Sequence, residues 1–438
     1  MIKSKSVFLF ISVLYLSCSS SVDVIDDDII VDPDPIVNSS PNILLVIADD
    51  LGKDVTPNYT EGSVKPNMPT LQSLMSTGIT FDNLWSYPVC TPTRASILTG
   101  KYGVNTGVLE VGDIISTAET SVQKYISNNT GDKYATAIVG KWHLSNNAND
   151  PITMGIDYYA GILNGGVPSY TNWTLTENGQ TTNTTEYTTT KLTDLAIDWV
   201  DSQTKPWFLW LAYNAPHTPF HLAPTNLHSQ GSLPTDQASI DANPEPYFMS
   251  AVEALDTELG RLLNSLSAEE KANTIIIFIG DNGTPNQIAQ APYSSRRAKG
   301  TIYQGGVNVP MVVSGYGVNR SGVRESALTH TADLFTTIAN VAGVSTAEIN
   351  NSTSFYNLLS DENATGREFV YTERSNNGIS YAIRNANYKL IVNDNGTQEF
   401  YNLTIDAYEA NDLIGTTLSA EATTAKTALE AEAASIRQ

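Results

Sequence analysis

The sequence predicts a doubly wound α/β domain followed by a small antiparallel-sheet subdomain, and three observations carry that prediction. Four continuous apolar runs, which lack the alternation of half-exposed strands, each end in a polar cluster, as buried parallel strands do. Helical periodicity fills several of the segments between them, the pattern of a parallel sheet with helices on both faces. Past residue 345 the style changes to short strands joined by turns.

Residues 1–18 carry Lys3 and Lys5, then an apolar run over 7–16, then Ser17-Cys18. This is an export signal, too short in its apolar part to span a membrane. Its end resembles a bacterial lipobox with Cys18 as the lipidated residue. Tyr15 stands where Leu is usual, so ordinary signal-peptidase cleavage and a secreted product stay open. The Ser-, Asp- and Pro-rich stretch 19–40 reads as a flexible acidic tether. Membrane contact is expected only through the lipid anchor, with the protein exported to the periplasm or the outer-membrane surface.

The catalytic domain, 41–345, opens with Asn42-Ile-Leu-Leu-Val-Ile-Ala48, ended by Asp49-Asp50. The carboxyl edge of such a strand is where open α/β sheets place their ligands. A helix over 68–77 precedes Cys90-Thr-Pro-Thr-Arg-Ala-Ser-Ile-Leu-Thr-Gly100, where Pro92 suits a first helical turn and Thr99-Gly100 an end. A strand over 134–139 delivers Gly140-Lys141-Trp142-His143. An inserted hairpin is expected within 170–187, turning at Asn178-Gly179. A helix over 192–202 and a strand over 207–212 deliver Asn214-Ala-Pro-His217. A long amphipathic helix, 247–265, and a strand over 274–279 deliver Asp281-Asn282-Gly283. An apolar run at 310–313 and a helix over 332–342 close this domain. The second, 346–438, has short strands near 369–372, 379–384, 388–392 and 399–401, with an Ala-rich helix over 419–436.

The chain has 438 residues, a net charge of −22 and only 16% charged residues, which argues against nucleic acid, whose phosphates demand basic patches. An anionic substrate then needs a local cationic pocket, so the few Lys and Arg become informative. A helix beginning at Cys90 turns free N–H groups and a positive dipole end toward an anion, with Arg94 one turn on. Asp49, Asp50, Asp281 and Asn282, from two strand ends, supply only oxygen ligands, which suits Ca²⁺ or Mg²⁺ and not zinc. Lys141 and His143, two apart after a strand, can face one side.

These segments resemble the type I sulfatases of the alkaline-phosphatase-like superfamily. The run CTPTRASILTG matches the family signature C-x-P-[ST]-R-x-x-x-L-T-G, and with NILLVIADDLG before it and VGKWHL, APHTPF, IGDNGTP and KGTIYQGGVNVP after it the set stands in the family's order. Gln304 stands where the family often has Glu. The resemblance implies a mixed sheet of that fold and oxidation of Cys90 to formylglycine by a formylglycine-generating enzyme. It implies Ca²⁺ at Asp49, Asp50, Asp281 and Asn282, touching residue 90 as well. Formylglycine hydrate would attack sulfur, giving a covalent sulfo-enzyme that the second hydroxyl resolves. By the same resemblance Lys141 holds the sulfate, His143 acts as base at residue 90, His217 is the general acid and Lys299 bridges sulfate and leaving oxygen.

The expected activity is hydrolysis of sulfate esters on carbohydrates, with short sulfated oligosaccharides preferred over intact polymer. His221, four beyond His217, is a candidate for the substrate mouth. Arg296 and Arg297 can read a second anionic group, or be a solvated loop. A phosphate or phosphonate ester hydrolase of the same superfamily, or a non-catalytic glycan-binding lipoprotein with Cys90 left as a thiol, is the alternative.

Overall fold

A computed structural model describes residues 40–376 and 378–438. The export signal, Cys18 and the tether up to residue 39 lie outside the described residues. The main sheet is built from β1 (Asn42–Ala48), β2 (Ile79–Trp85), β3 (Ala135–Lys141), β4 (Tyr158–Ile162), β5 (Trp173–Glu177) and β6 (Gln180–Thr184). It continues with β7 (Trp207–Ala212), β8 (Thr274–Gly280), β9 (Asn308–Gly315), β10 (Val323–Glu325) and β11 (Thr329–His330). The order across it is β10-β2-β9-β8-β1-β7-β3-β4-β5-β6, with β11 also on β2.

β1 lies inside this sheet, parallel to β7 and β8, because both of its faces are apolar. Leu44, Val46 and Ala48 enter one core cluster; Ile43, Leu45 and Ile47 enter the other. The first face is covered by α1 (Pro69–Thr77), the second by α2 (Cys90–Thr99) and α3 (Val122–Thr130). Further along the chain, α4 (Thr188–Asp201) and α5 (Glu245–Ser265) join the first face and α6 (Asp333–Val341) the second. Each fully buried Leu or Ile of these faces contributes about 1.5–3 kcal/mol. The two-layer covering therefore locks β1 and the residues that follow it.

The sheet is mixed: β9 runs antiparallel to both β8 and β2. The hairpin β5–β6 turns at Asn178-Gly179 as expected, and it extends the main sheet by pairing with β4. β2 and β4 escaped the sequence reading. In β2 the polar pair Asp82-Asn83 interrupts the apolar run at a register shift between Phe81 and Leu84.

A two-residue ladder, β12 (Glu348–Ile349) with β13 (Ser352–Thr353), leads to the antiparallel sheet β14 (Val370–Ser375), β15 (Ile379–Arg384), β16 (Tyr388–Val392) and β17 (Gln398–Asn402). One face packs on α7 (Ala420–Ile436) through Leu390, Phe400 and Leu429. The other lays Val370, Ala382 and Ile391 against Trp85, Ile302 and Val307 of the catalytic part. All described residues belong to one compact unit, and among them no helix is long and apolar enough to cross a membrane.

Candidate active site

The strand ends converge because neighbouring loops are stitched to one another. Past β1, Asp50 takes a positive φ of 72°, and its N–H donates to Asp281 Oδ1, at the end of β8, at 3.0 Å. Asn282 Nδ2 donates to Asp50 Oδ1 at 2.8 Å. Gly283 lies against the loop that leads to β9: its N–H donates to Gly306 O at 2.9 Å, and a Cβ there would sit 1.9 Å from Gly305 O. Any side chain at 283 would push the two loops apart.

α2 begins at Cys90 and ends at Gly100 in the left-handed region, as the sequence indicated. Cys90 is buried, with its Sγ 3.1 Å from His143 Nδ1. One turn on, Arg94 donates through Nη2 to Asp281 Oδ2 and through Nη1 to Lys141 O, both at 2.8 Å. Its guanidinium thus ties the ends of β8 and β3 to α2. At Gly140, φ is 115° and a Cβ would meet Ala212 O at 1.9 Å, so only glycine lets β3 turn here. Lys141 Nζ then reaches Asp49 Oδ2 at 2.5 Å. His143 takes φ 53°; such non-glycine conformations cost of order 1–3 kcal/mol and collect at functional sites.

His217 and Lys299 enter from the exposed side. Lys299 Nζ lies 2.5 and 2.6 Å from the two oxygens of Asp50, and His217 Nε2 lies 3.8 Å from Asp50 Oδ2. His217 Nδ1 is 2.9 Å from Thr218 O, and since a carbonyl only accepts, Nδ1 carries the proton and Nε2 faces the site. Tyr170 holds this loop, its hydroxyl 2.7 Å from His217 O and 3.0 Å from Asn214 O. Sequence reasoning missed Tyr170; its only signal was a large aromatic at the head of a Thr/Asn-rich stretch.

The polar atoms left unanswered mark what the site accepts. Asp49 Oδ1, Asn282 Oδ1 and Arg94 Nε are buried without a hydrogen-bond partner. Oxygens of Asp49 and Asp281 and the Cys90 sulfur lie within 4.8 Å of one another, as do ligand atoms of Asp49, Asp50 and His217. Burial, with Asp281 and Asp50 alongside, pushes Asp49 well above the usual carboxyl range despite Lys141. The unanswered oxygens of Asp49 and Asn282 fit a hard cation with oxygen ligands. Burial opposes ionisation of Asp50 too, but there Lys299, His217 and Lys141 prevail and hold it below the ordinary range. Burial, then Lys141 and Arg94, brings His143 down to about 2, so its imidazole is neutral. Burial pushes the Cys90 thiol up, which makes an unmodified Cys90 a poor nucleophile.

The structure thus gathers Asp49, Asp50, Cys90, Arg94, Lys141, His143, His217, Asp281, Asn282 and Lys299 in one place. Two expectations need correction. Arg297 is turned toward the C-terminal part: its Nη1 donates to Glu409 O and its guanidinium lies 4.4 Å over the Tyr303 ring. His221 has both nitrogens committed, Nε2 to the Tyr187 hydroxyl at 2.9 Å and Nδ1 to Pro219 O at 3.0 Å, and it stacks on Tyr170. It braces the His217 loop. Arg296 is exposed.

Comparison with known proteins shows what the chain as a whole is similar to. The chain is 29% identical over 369 residues to the uncharacterized sulfatase YdeN of Escherichia coli (strain K12), covering 70% of this chain and 63% of that one. It is 25% identical over 443 residues to the ulvan-active sulfatase of Formosa agariphila, covering 94% and 83%. The solved structure of Ps i-CgsB with k-i-k-neocarrahexaose superposes with a TM-score of 0.76 at 24% identity, over 91% of this chain and 94% of that one. Against relatives of the YdeN kind the chain spans about three fifths of their length. The family model described as Sulfatase matches residues 41–344, from the approach to β1 to just past the end of α6, and by that match the chain belongs to the sulfatase family.

Proposed function

We propose that this chain hydrolyses sulfate esters on carbohydrates, with Cys90 oxidised to formylglycine at the centre of the reaction. One observation carries the reading. A buried Cys90 at a helix start faces unanswered carboxylate and amide oxygens inside a ring of Arg94, Lys141 and Lys299. The name of the ulvan-active relative supports a polysaccharide-derived substrate.

Asp49, Asp50, Asp281 and Asn282 would hold Ca²⁺ or Mg²⁺, which supplies positive charge beside residue 90. Formylglycine at position 90, once hydrated, would supply the nucleophilic hydroxyl and the second hydroxyl needed for sulfate release. Lys141 and Lys299, whose ammonium groups are held by Asp49 and Asp50, would bind the sulfate oxygens. His143, neutral and 3.1 Å from position 90, accepts the proton from that position. His217 donates to the leaving oxygen through Nε2. Burial first, then Lys141, holds it at about 4, and a bound anionic ester next to Nε2 favours its protonated form. The same proposal places catalysis outside the cytoplasm, with residues 1–18 as the export signal, Cys18 as the lipid anchor and a formylglycine-generating enzyme as maturation partner.

The test is a rate comparison on matched aryl sulfate and aryl phosphate, followed by sulfate release from sulfated oligosaccharides. Faster turnover of the sulfate is expected. Preference for the phosphate would assign a phosphoesterase, and no turnover of either by protein matured in its native host would leave a glycan-binding protein.

A further inference from the structure

A second group of cations lies away from residue 90, around a cavity of about 200 Å³ between the turn after β1, the β2 strand and the C-terminal sheet. Lys53, Arg324 and Arg384 line it, with Glu61 and Asp82 as its carboxylates. Lys53 is 3% exposed and Arg384 5%. Asp82 is taken by Arg324 in an ion pair. The contacts of the other two cations go to neutral oxygens: Lys53 to Asp82 O, and Arg384 to Asn385 O at 2.9 Å, Asn83 Oδ1 at 3.1 Å and Ala386 O at 2.8 Å. Lys53 and Arg324 also share one aromatic ring, at 5.2 and 5.0 Å from the Tyr59 centroid.

Three cations thus face two carboxylates, one of them already paired. Lys53 and Arg384 feel Glu61, Asp82 and Glu409 only at a distance and make no ion pair among the described residues, and two such buried charges beside one cavity need a common relief. Asn308 lines the same cavity, and its amide can present Nδ2 to it as a neutral donor. Burial brings Lys53 down to about 8 despite Glu61 and Asp82, and Arg384 to about 10 despite Glu409, so added negative charge in the cavity would favour both cations.

We infer that this cavity binds a small inorganic oxyanion, held by Lys53, Arg384 and the Asn308 amide, at a site separate from the one around Cys90. Its wall includes Gln304, five residues beyond Lys299, so a bound anion would also brace the loop that carries Lys299. The inference does not depend on the reaction proposed above.

Equilibrium dialysis of the full chain against labelled sulfate tests it, at fixed ionic strength kept constant with chloride. One saturable site should survive in the Lys141→Ala, Lys299→Ala double variant, which cripples anion binding near Cys90. In that background Arg384→Gln or Lys53→Gln should each weaken the surviving site by about tenfold or more, as loss of a charged donor does. Far-UV circular dichroism and a cooperative melt identify the folded variants, and the two substitutions are read separately so that either one can decide. Survival of the site with unchanged affinity in a folded Lys53→Gln or Arg384→Gln chain would overturn the inference. So would loss of all saturable binding in the Lys141→Ala, Lys299→Ala variant alone.

Discussion

Two buried lysine–carboxylate pairs, Lys141 with Asp49 and Lys389 with Glu409, have the same burial and opposite surroundings. Around Glu409 every charged atom is answered. Oε1 meets Lys389, Oε2 accepts from Gln304 N–H at 2.8 Å, and Lys389 Nζ also donates to Ile302 O at 2.7 Å and lies 4.8 Å over Trp85. Around Asp49 one oxygen has no hydrogen-bond partner, with Arg94 Nη2 only as near as 3.9 Å. The closed pair is a strut between the C-terminal sheet and the 302–304 segment; the open one keeps oxygens in reserve for a cation. A buried ion pair gives little net stability, so what separates structure from function is whether its remaining valences are filled.

Variants at the two pairs should separate activity from stability. Cys90→Ala, inside the open cluster, should lower turnover by about 10⁴-fold or more with the melting temperature nearly unchanged; appreciable activity measured on purified variant would break the contrast. Lys389→Ala, inside the closed pair, should do the reverse. It strands a buried carboxylate and should cost about 3–5 kcal/mol in denaturant unfolding, while turnover per folded molecule falls far less. A variant as stable as wild type would mean that Glu409 is not held as described. His217→Ala should cost about 10²-fold more on sugar sulfates, whose alkoxide needs a proton, than on activated aryl sulfates; equal losses on both would remove its role as acid. The smallest effect is thermodynamic. Ca²⁺ at tenfold over its Kd should stabilise the chain by about 1.4 kcal/mol, in wild type and in Glu409→Gln alike, and not in Asp281→Ala. Calcium stabilisation that persists in Asp281→Ala would place the ion elsewhere.

The open cluster was legible in the sequence and the closed one was not, for a physical reason. Asp49-Asp50, Lys141, His143, His217 and Asp281-Asn282 all lie within a few residues of the end of an apolar run, so a strand ending is enough to place them near one sheet edge. Lys389 sits inside a strand and Glu409 in a loop at φ 61°, and their meeting depends on how the C-terminal sheet lies on Ile302 and Val307. No local pattern encodes that. Arg297 shows the same limit from the other side. Its place beside Lys299 suggested an anion reader, yet the loop around Glu409, far along the chain, claims it. β2 was hidden because Asp82-Asn83 breaks its apolar run, and those two side chains serve Arg324 and Arg384.

The proposed reaction turns on the chemical state of residue 90. The direct measurement is the mass of the tryptic peptide spanning 54–94, from protein made in its native host and shown to release sulfate. The expected result is the mass for replacement of the thiol by an aldehyde, shifted again on hydrazine capture, in proportion to specific activity. A fully active preparation in which that peptide carries only the thiol mass would contradict it.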